Sequence, residues 1–106
     1  MATNKFLSML GLAKRAGAVM TGTDLVTKAL PSGKIRLVIY AENSSPNTEK
    51  KITDKCKFYG VQCIKCPYDA GTLSHSVGKE SDVCAFGISD ENFSKELISL
   101  MARETI

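Results

Sequence analysis

A short stretch from Gly17 to Leu30 holds the residues whose types and spacing could best do chemistry. A Thr-Gly-Thr corner at residues 21–23 precedes a predicted helix. A helix entered through glycine and small hydroxyl residues presents unpaired N–H groups at its positive end. That end can receive an anion such as a phosphate, and Lys28 adds a cation on the second turn. The chemistry indicated is anion binding.

The same stretch also fits a purely structural interpretation. Thr21 and Asp24 stand three residues apart before an apolar run, which is the spacing of a capping box. In that arrangement Asp24 would only close the start of the helix. The local sequence leaves both interpretations open.

Four cysteines, at positions 56, 63, 66 and 84, could do a second kind of chemistry. Cys63 and Cys66 form a C-x-x-C pair, but a redox pair needs its first thiol at a helix N-terminus, and this pair falls in a predicted strand. A structural zinc site needs four ligands in close pairs, and only one close pair exists, with Cys56 or His75 as distant candidates. We expect free thiols, no metal and no cofactor. A thiol-redox or metal protein built on Cys63 and Cys66 remains an alternative.

Catalytic motifs are lacking in the sequence. No Walker-type loop, dinucleotide fingerprint, H-E-x-x-H or G-x-S-x-G pattern occurs. The single histidine, His75, lies in a weak predicted helix, and nothing places a cysteine beside it as a nucleophile. The sequence therefore favours a binding protein over an enzyme.

The composition indicates one small globular domain, residues 1–106. With 106 residues, of which 43% are hydrophobic and 24% charged, the chain can bury its own core. Its longest apolar run, residues 37–41, is far too short to cross a bilayer. Lys14 and Arg15 interrupt the faint likeness of the N-terminus to a signal peptide. We expect a cytoplasmic protein with no membrane partner, and free thiols fit a reducing compartment.

The net charge of +3 is unevenly distributed along the chain. Residues 1–40 carry +5, residues 41–80 carry +1 and residues 81–106 carry −3. The basic half holds the Gly22 corner, which suggests a polyanion partner on that side. Lys14 and Arg15 are candidate phosphate contacts, although they also complement a helix dipole. A solvated basic surface without a partner is the alternative.

Alternating elements must position these residues. Apolar periodicity and end signals predict helices at residues 4–15, 23–30, 46–59 and 70–77, and a fifth capped by Ser89. Strands are predicted at residues 18–20, 35–41, 61–66 and 83–88. The order αβαβαβαβα predicts an α/β fold, a three-layer α/β/α sandwich around a small four-stranded, mostly parallel mixed sheet.

Two surfaces of this predicted fold bear on function. Ligands of such sheets bind at one edge, and we expect the Gly22 corner, the Glu42 turn and the loop at residues 78–83 to share that edge. The third predicted helix carries four lysines, which we interpret as a solvated face: Lys50, Lys51, Lys55 and Lys57.

Five segments together carry a resemblance to a known family. They are Leu-Gly-Leu-Ala-Lys-Arg-Ala-Gly (10–17), Thr-Gly-Thr-Asp-Leu-Val-Thr-Lys-Ala (21–29), Lys-Ile-Arg-Leu-Val-Ile-Tyr-Ala-Glu-Asn (34–43), Asn-Thr-Glu-Lys-Lys-Ile-Thr-Asp-Lys-Cys (47–56) and Val-Gly-Lys-Glu (77–80). Over nearly its whole length the chain resembles the kink-turn-binding ribosomal proteins of the L-seven-Ae type, and most of all their small bacterial YlxQ-like members.

The resemblance implies a single, non-catalytic RNA-binding domain that works as a monomer in ribonucleoproteins of the ribosome or of translation, with no DNA partner. Gly22 would approach a sharply bent strand, Asp24 would meet sheared G·A pairs, and Lys28 would reach a guanine edge or a phosphate. The loop from Lys79 to Val83 would cover the flipped-out nucleotide. The candidate RNA-binding residues are Lys14, Arg15, Gly22, Thr23, Asp24, Leu25, Lys28, Glu42, Lys79, Glu80, Ser81, Asp82 and Val83.

Two features depart from the archaeal pattern of this family. Asp24 and Leu25 stand where that pattern has Asn-Glu, so an amide that donates and accepts is replaced by a carboxylate that only accepts. The covering loop is polar rather than apolar, and its Glu80 and Asp82 would repel RNA. A protein-interaction module on the same fold is therefore a further alternative.

Overall fold

Five helices and four strands alternate along residues 5–104, the part of the chain that the computed structural model describes. The helices are α1 (Lys5–Arg15), α2 (Thr23–Ala29), α3 (Pro46–Tyr59), α4 (Ala70–Ser76) and α5 (Glu91–Glu104). The strands are β1 (Val19–Thr21), β2 (Leu37–Tyr40), β3 (Gln62–Lys65) and β4 (Ala85–Ile88), and a 3₁₀ turn (Leu30–Ser32) extends α2. The predicted alternation is confirmed; Asn4, the predicted first residue of α1, lies outside the described residues.

The four strands form one mixed sheet in the order β1-β4-β2-β3. Strands β2 and β3 pair in parallel, whereas β4 lies between β1 and β2 and runs antiparallel to both. The four-stranded mixed sheet is confirmed. The expectation of mostly parallel pairing is wrong, although β1, β2 and β3 do share one direction.

The connection from β3 to β4 explains why β4 is antiparallel. At its start, the Ala70 N–H donates a 2.9 Å hydrogen bond to Asn43 Oδ1, just beyond β2. At its end, the Ala41 N–H donates at 2.9 Å to the carbonyl of Cys84, just before β4. Both ends therefore lie where β1, β2 and β3 have their carboxyl ends. Because β4 begins at this edge, which we call the carboxyl edge, it must run back through the sheet.

Both faces of the sheet are covered by helices, as the predicted three-layer sandwich requires. Side chains of a strand alternate between the faces, so Leu37 and Ile39 join one core and Val38 and Tyr40 join the other. The first core lies against α1, α4 and α5, and its largest helical side chains are Phe6, Leu10, Leu73 and Leu97. The second core lies against α2 and α3 and includes Val26, Ile52 and Cys56.

The start of α5 differs from the prediction by one residue. Ser89 is not its N-cap, because Asp90 Oδ1 accepts a 2.9 Å hydrogen bond from the Phe93 N–H. The Ser89 N–H instead donates at 2.9 Å to the Ala18 carbonyl and so ties the end of β4 to the start of β1. Ser89, which the local sequence predicts as the N-cap, therefore forms a tertiary hydrogen bond instead, and Asp90 caps the helix.

No helix within residues 5–104 is both long enough and apolar enough to span a bilayer.

Helices α1 and α4 approach each other closely at Gly11. A Cβ atom added to Gly11 would lie 2.9 Å from the carbonyl oxygen of Ser76, which is too close for the backbone to stay in place. We expect Gly11→Ala to lower the free energy of unfolding by about 1–3 kcal/mol, because the two helices must separate. Urea denaturation measures this.

Gly71→Ala on α4 is the matched control. Its Cβ would lie 3.5 Å from Asp69 Oδ1, an ordinary contact distance, and alanine suits a helix better than glycine does. Equal stability of the Gly11→Ala protein and the wild type would contradict the close approach of α1 and α4.

Candidate functional site

The carboxyl edge brings together three separated segments of the chain. The Gly22 N–H donates a 2.9 Å hydrogen bond to the carbonyl of Ala85, which ties the corner after β1 to the start of β4. The Ala41 N–H bonds in the same way to Cys84, which ties the turn before Glu42 to the same segment. The corner, the end of the loop and the turn therefore lie side by side, whereas the start of the loop at Gly78 lies against Lys14 and Arg15.

The corner at Gly22 depends on glycine. Its backbone has φ 109° and ψ 137°, a conformation that residues with a Cβ rarely adopt. Open space surrounds the position where a Cβ would stand, so the constraint is the backbone angle and not crowding. This conformation turns the chain directly from β1 into α2.

The capping-box interpretation of this corner is wrong. Thr21 belongs to β1, where it pairs with Phe86 and is buried. Gly22 is the N-cap of α2, and within the described chain no side chain caps this helix start. Asp24 turns away from the first turn towards α3. The first turn of α2 is thus left without the side-chain partner that a structural role would require.

One face of α2 packs into the protein and the other faces solvent. Val26 and Thr27 are buried, and the Thr27 hydroxyl donates at 2.9 Å to the Thr23 carbonyl. Asp24, Leu25 and Lys28 are exposed, and Leu25 keeps 59% of its surface in water. On this face Asp24 and Lys28 are neighbours at i and i+4, and the large apolar side chain of Leu25 stands beside them.

Asp24 pairs with a lysine that the sequence analysis assigned to a solvated face. Lys51 Nζ of α3 lies 2.9 Å from Asp24 Oδ1. The hydrogen bond from Lys51, and then its charge, hold the pKa of Asp24 below its usual value, and the charge of Lys28 adds to this. The carboxylate is therefore ionised at neutral pH, and cations on two helices balance its charge.

A buried serine anchors both ends of the loop at residues 79–83. Ser74 is 1% exposed, and its Oγ accepts a 2.8 Å hydrogen bond from the Val83 N–H. The Lys79 N–H donates at 2.9 Å to the Ser74 carbonyl. Residues 79–82 are exposed, whereas Val83 packs against the first core. The loop is therefore a fixed projection with a solvated tip.

The acidic residues of the carboxyl edge differ in their surroundings. The Asp82 carboxylate lies 3.6 Å from the position of a Cβ on Gly71, in the first turn of α4, so it is turned towards that helix. Glu42 is exposed, and its backbone N–H donates at 3.0 Å to the Tyr68 carbonyl. Glu80 is exposed at the loop tip. The edge thus carries charges of both signs.

Lys14 and Arg15 lie apart from the Gly22 corner, but they line a groove together with Gly78, the residue directly before Lys79 of the loop. The Ala18 N–H donates at 2.9 Å to the Ala13 carbonyl, and the Ala18 carbonyl accepts from Ser89 after β4 has ended. The end of α1 therefore lies at the opposite edge of the sheet. Arg15 lines a groove between α1 and α4. The part of these two cations in binding stays a prediction.

The geometry of the cysteines disfavours the redox and metal alternative. Cys66 lies in the first core and Cys63 packs against the second, so the C-x-x-C pair spans the sheet. The contact with the Cys56 sulfur, and then burial, raise the pKa of Cys63 far above its usual range, the reverse of an activated thiol. In the described chain, no three His, Cys, Asp or Glu residues are grouped to hold a metal ion.

Neither Lys51 nor Ser74 was predictable as part of the site. Lys51 lies 27 residues from Asp24 in the chain, and it is one of several lysines on α3. Only the packing of α3 beside α2 shows that this lysine pairs with Asp24. Ser74 resembles any small helical residue until the loop returns to it.

Lys51→Ala tests the ion pair directly. We expect the pKa of Asp24 to lie below 3.8 in the wild-type protein and to rise towards 3.8 in the variant. Because the folded-state pKa is lowered, the stabilisation is present above the unfolded-state pKa and is lost as the pH falls through the folded-state pKa. Carboxyl-carbon NMR titration measures both values. An Asp24 pKa that is the same in both proteins would contradict the pairing.

Ser74→Ala tests the loop anchor. The Val83 N–H loses its acceptor, so we expect the free energy of unfolding to fall by about 1–3 kcal/mol and the Val83 amide to exchange faster. Hydrogen exchange followed by NMR measures the second effect. Ser81→Ala at the solvated tip is the control, and an unchanged exchange rate in the Ser74 variant would contradict the anchor.

The sequence of this chain is similar to those of a known protein family. Residues 4–98 match the model of the Ribosomal protein L7Ae/L30e/S12e/Gadd45 family. An RNA-binding protein YlxQ of Bacillus subtilis is 41% identical over 97 residues, which cover 92% of this chain and 95% of the relative. An RNA-binding protein YlxQ of Enterococcus faecium is 34% identical over 97 residues, which cover 92% and 91% of the two chains.

Solved structures share the fold. A protein of unknown function from Bacillus halodurans superposes with a TM-score of 0.88 at 34% identity, covering 94% of this chain and 99% of the other. A Giardia lamblia 15.5kD RNA binding protein superposes with a TM-score of 0.77 at 16% identity, covering 97% and 90%. The second likeness bears on the fold alone.

Proposed function

The chain belongs to the Ribosomal protein L7Ae/L30e/S12e/Gadd45 family, and from this membership we propose that it binds structured RNA at the carboxyl edge of its sheet. A ribosomal protein family, and relatives named as RNA-binding proteins, point to a binding protein and not to an enzyme. The RNA is of the kink-turn kind, in which two stems meet at a sharp bend. The same proposal has the protein act as a cytoplasmic monomer on ribosomal or other translation-associated RNA.

The observation that carries this proposal is the exposed, uncapped start of α2. Its outer face presents Asp24, Leu25 and Lys28 beside a glycine corner where backbone can approach a ligand closely. An ammonium group can bind a phosphate or the O6 and N7 atoms of guanine. Leu25 offers an apolar surface for a sugar or a base.

The anchored loop supports the choice of a bent RNA. The loop ends at Val83, two residues before Ala85, whose carbonyl accepts the Gly22 N–H, so we infer that a strand following α2 meets the end of the loop next. Proteins that recognise RNA by shape use such features to hold unstacked nucleotides. In this proposal α2 enters the groove next to the bend, and the loop covers the unpaired nucleotide.

The acidic residue at the centre of this face does not repel the RNA. Lys51 already balances the charge of Asp24, and Lys28, one turn further along α2, adds a second positive charge. The carboxylate remains an acceptor for base amino groups. The face therefore combines an acceptor with two cations.

Lys28→Ala tests the proposed site. We expect the free energy of binding to a kink-turn stem-loop to weaken by about 1–3 kcal/mol, as for the loss of a direct base-edge contact. Fluorescence anisotropy at several salt concentrations measures this. A salt dependence reduced by about 0.7–0.9 in log–log slope assigns Lys28 to a phosphate, and an unchanged slope assigns it to a base edge.

Two controls make the test selective. Lys95→Ala removes an equal charge from α5, and we expect it to leave the affinity unchanged. A straight duplex of the same composition should bind far more weakly than the bent RNA. Equal affinity for the two RNAs would overturn the kink-turn proposal, and no affinity for either would favour the protein-interaction alternative.

A further inference from the structure

We propose that the RNA site continues from α2 along one face of α3, where Lys51, Lys55 and Phe58 form a track for an unpaired strand. The inference rests on the proposed function and extends it to a surface that none of the predicted site residues occupies. It assigns the two lysines to phosphates and the phenylalanine ring to a base.

The three side chains lie on a common face of α3. Positions 51, 55 and 58 are spaced i, i+4 and i+7, which places them in one row along a helix. Ile52 and Cys56, which are buried in the second core, occupy a different face. At 1.5 Å per residue the row is about 10 Å long, which matches two to three phosphates of a stacked strand.

The row begins at the proposed RNA site. Lys51 Nζ lies 2.9 Å from Asp24 Oδ1, so the first cation of the row adjoins the exposed face of α2. The side chains of Lys51 and Asp24 are 48% and 79% exposed. A lysine ammonium group has three N–H donors, so Lys51 can contact a phosphate while it keeps its hydrogen bond to Asp24.

The far end of the row is an aromatic ring in water. Phe58 is 79% exposed, the highest value among the large apolar side chains exposed in the described chain. It meets Tyr59 edge to face, with ring centroids 4.9 Å apart, and this contact orients the ring without burying it. A lone exposed phenylalanine needs no explanation, but one aligned with two lysines has the composition of a single-strand binding surface.

The acidic residues of α3 leave the row cationic. Glu49 accepts a 2.9 Å hydrogen bond from the Tyr40 hydroxyl and lies 3.7 Å from Lys65 Nζ. Its negative charge is therefore paired next to the sheet, away from the row. Asp54 is exposed and borders the row, at i+3 from Lys51 and i−4 from Phe58, so the two lysines leave the row with a net positive charge of one. A negatively charged strand therefore suits this face better than an acidic protein surface does.

The test uses Lys55→Ala and Phe58→Ala, with Lys50→Ala and Lys57→Ala as matched controls on another face of the same helix. The probes are a blunt-ended kink-turn RNA and the same RNA with six unpaired adenosines on either its 5′ or its 3′ end. Fluorescence anisotropy gives the dissociation constants. We expect one extension to tighten binding to the wild-type protein.

For the extended RNA, we expect Phe58→Ala to weaken binding by about 5-fold or more, the size of one lost base–aromatic stack. Phe58→Trp should restore it. Lys55→Ala should reduce the log–log salt slope by about 0.7, the value for one single-strand phosphate. The blunt RNA should bind both variants as it binds the wild type, and the two control variants should match the wild type throughout.

Failure of this inference is distinguishable from failure of the proposed function. If neither extension adds affinity, or if Lys50→Ala and Lys57→Ala lose as much as Lys55→Ala, the track is overturned while a Lys28-dependent site on α2 stands. If the wild-type protein binds none of the RNAs, both proposals are overturned.

Discussion

The position of β4 is the constraint on which the site depends. Because this strand starts at the carboxyl edge between β1 and β2, its first residue accepts a backbone hydrogen bond from Gly22 on one side, and Cys84 just before it accepts one from Ala41 on the other. These bonds fix the distances between the glycine corner, the projecting loop and the turn after β2. With β4 parallel to its neighbours, the loop would enter from the opposite edge and the three segments would be separated.

Charge balance on the two outer helices is the second element of the site. Asp24 lies within the influence of Lys28 on its own helix and of Lys51 on the next one, and its lowered pKa reflects both. A carboxylate that would oppose an anion is thereby turned into a hydrogen-bond acceptor in a cationic setting. The core that joins α2 to α3 through Val26 and Ile52 makes this possible, since it sets the spacing of the two helices.

Much of the fold followed from local patterns, and the remainder needed tertiary structure. Alternating elements, the Ser45 N-cap and the left-handed Gly60 after α3 are local features that the sequence signals in advance. The direction of β4 is not local, because it depends on where a long connection returns. The roles of Lys51 and Ser74 are not local either: each residue contacts a segment distant in sequence, and neither differs in type from residues that only face solvent or fill a helix.

In the loop that Ser74 anchors, the residues that fix its position differ from the residues that it exposes to solvent. Its anchoring bonds come from one buried hydroxyl and one carbonyl, while the four residues at its tip contribute nothing to the core. Side-chain substitutions at positions 79–81 therefore leave these anchoring bonds in place. The chemistry of the tip can thus change while the scaffold that holds it stays the same.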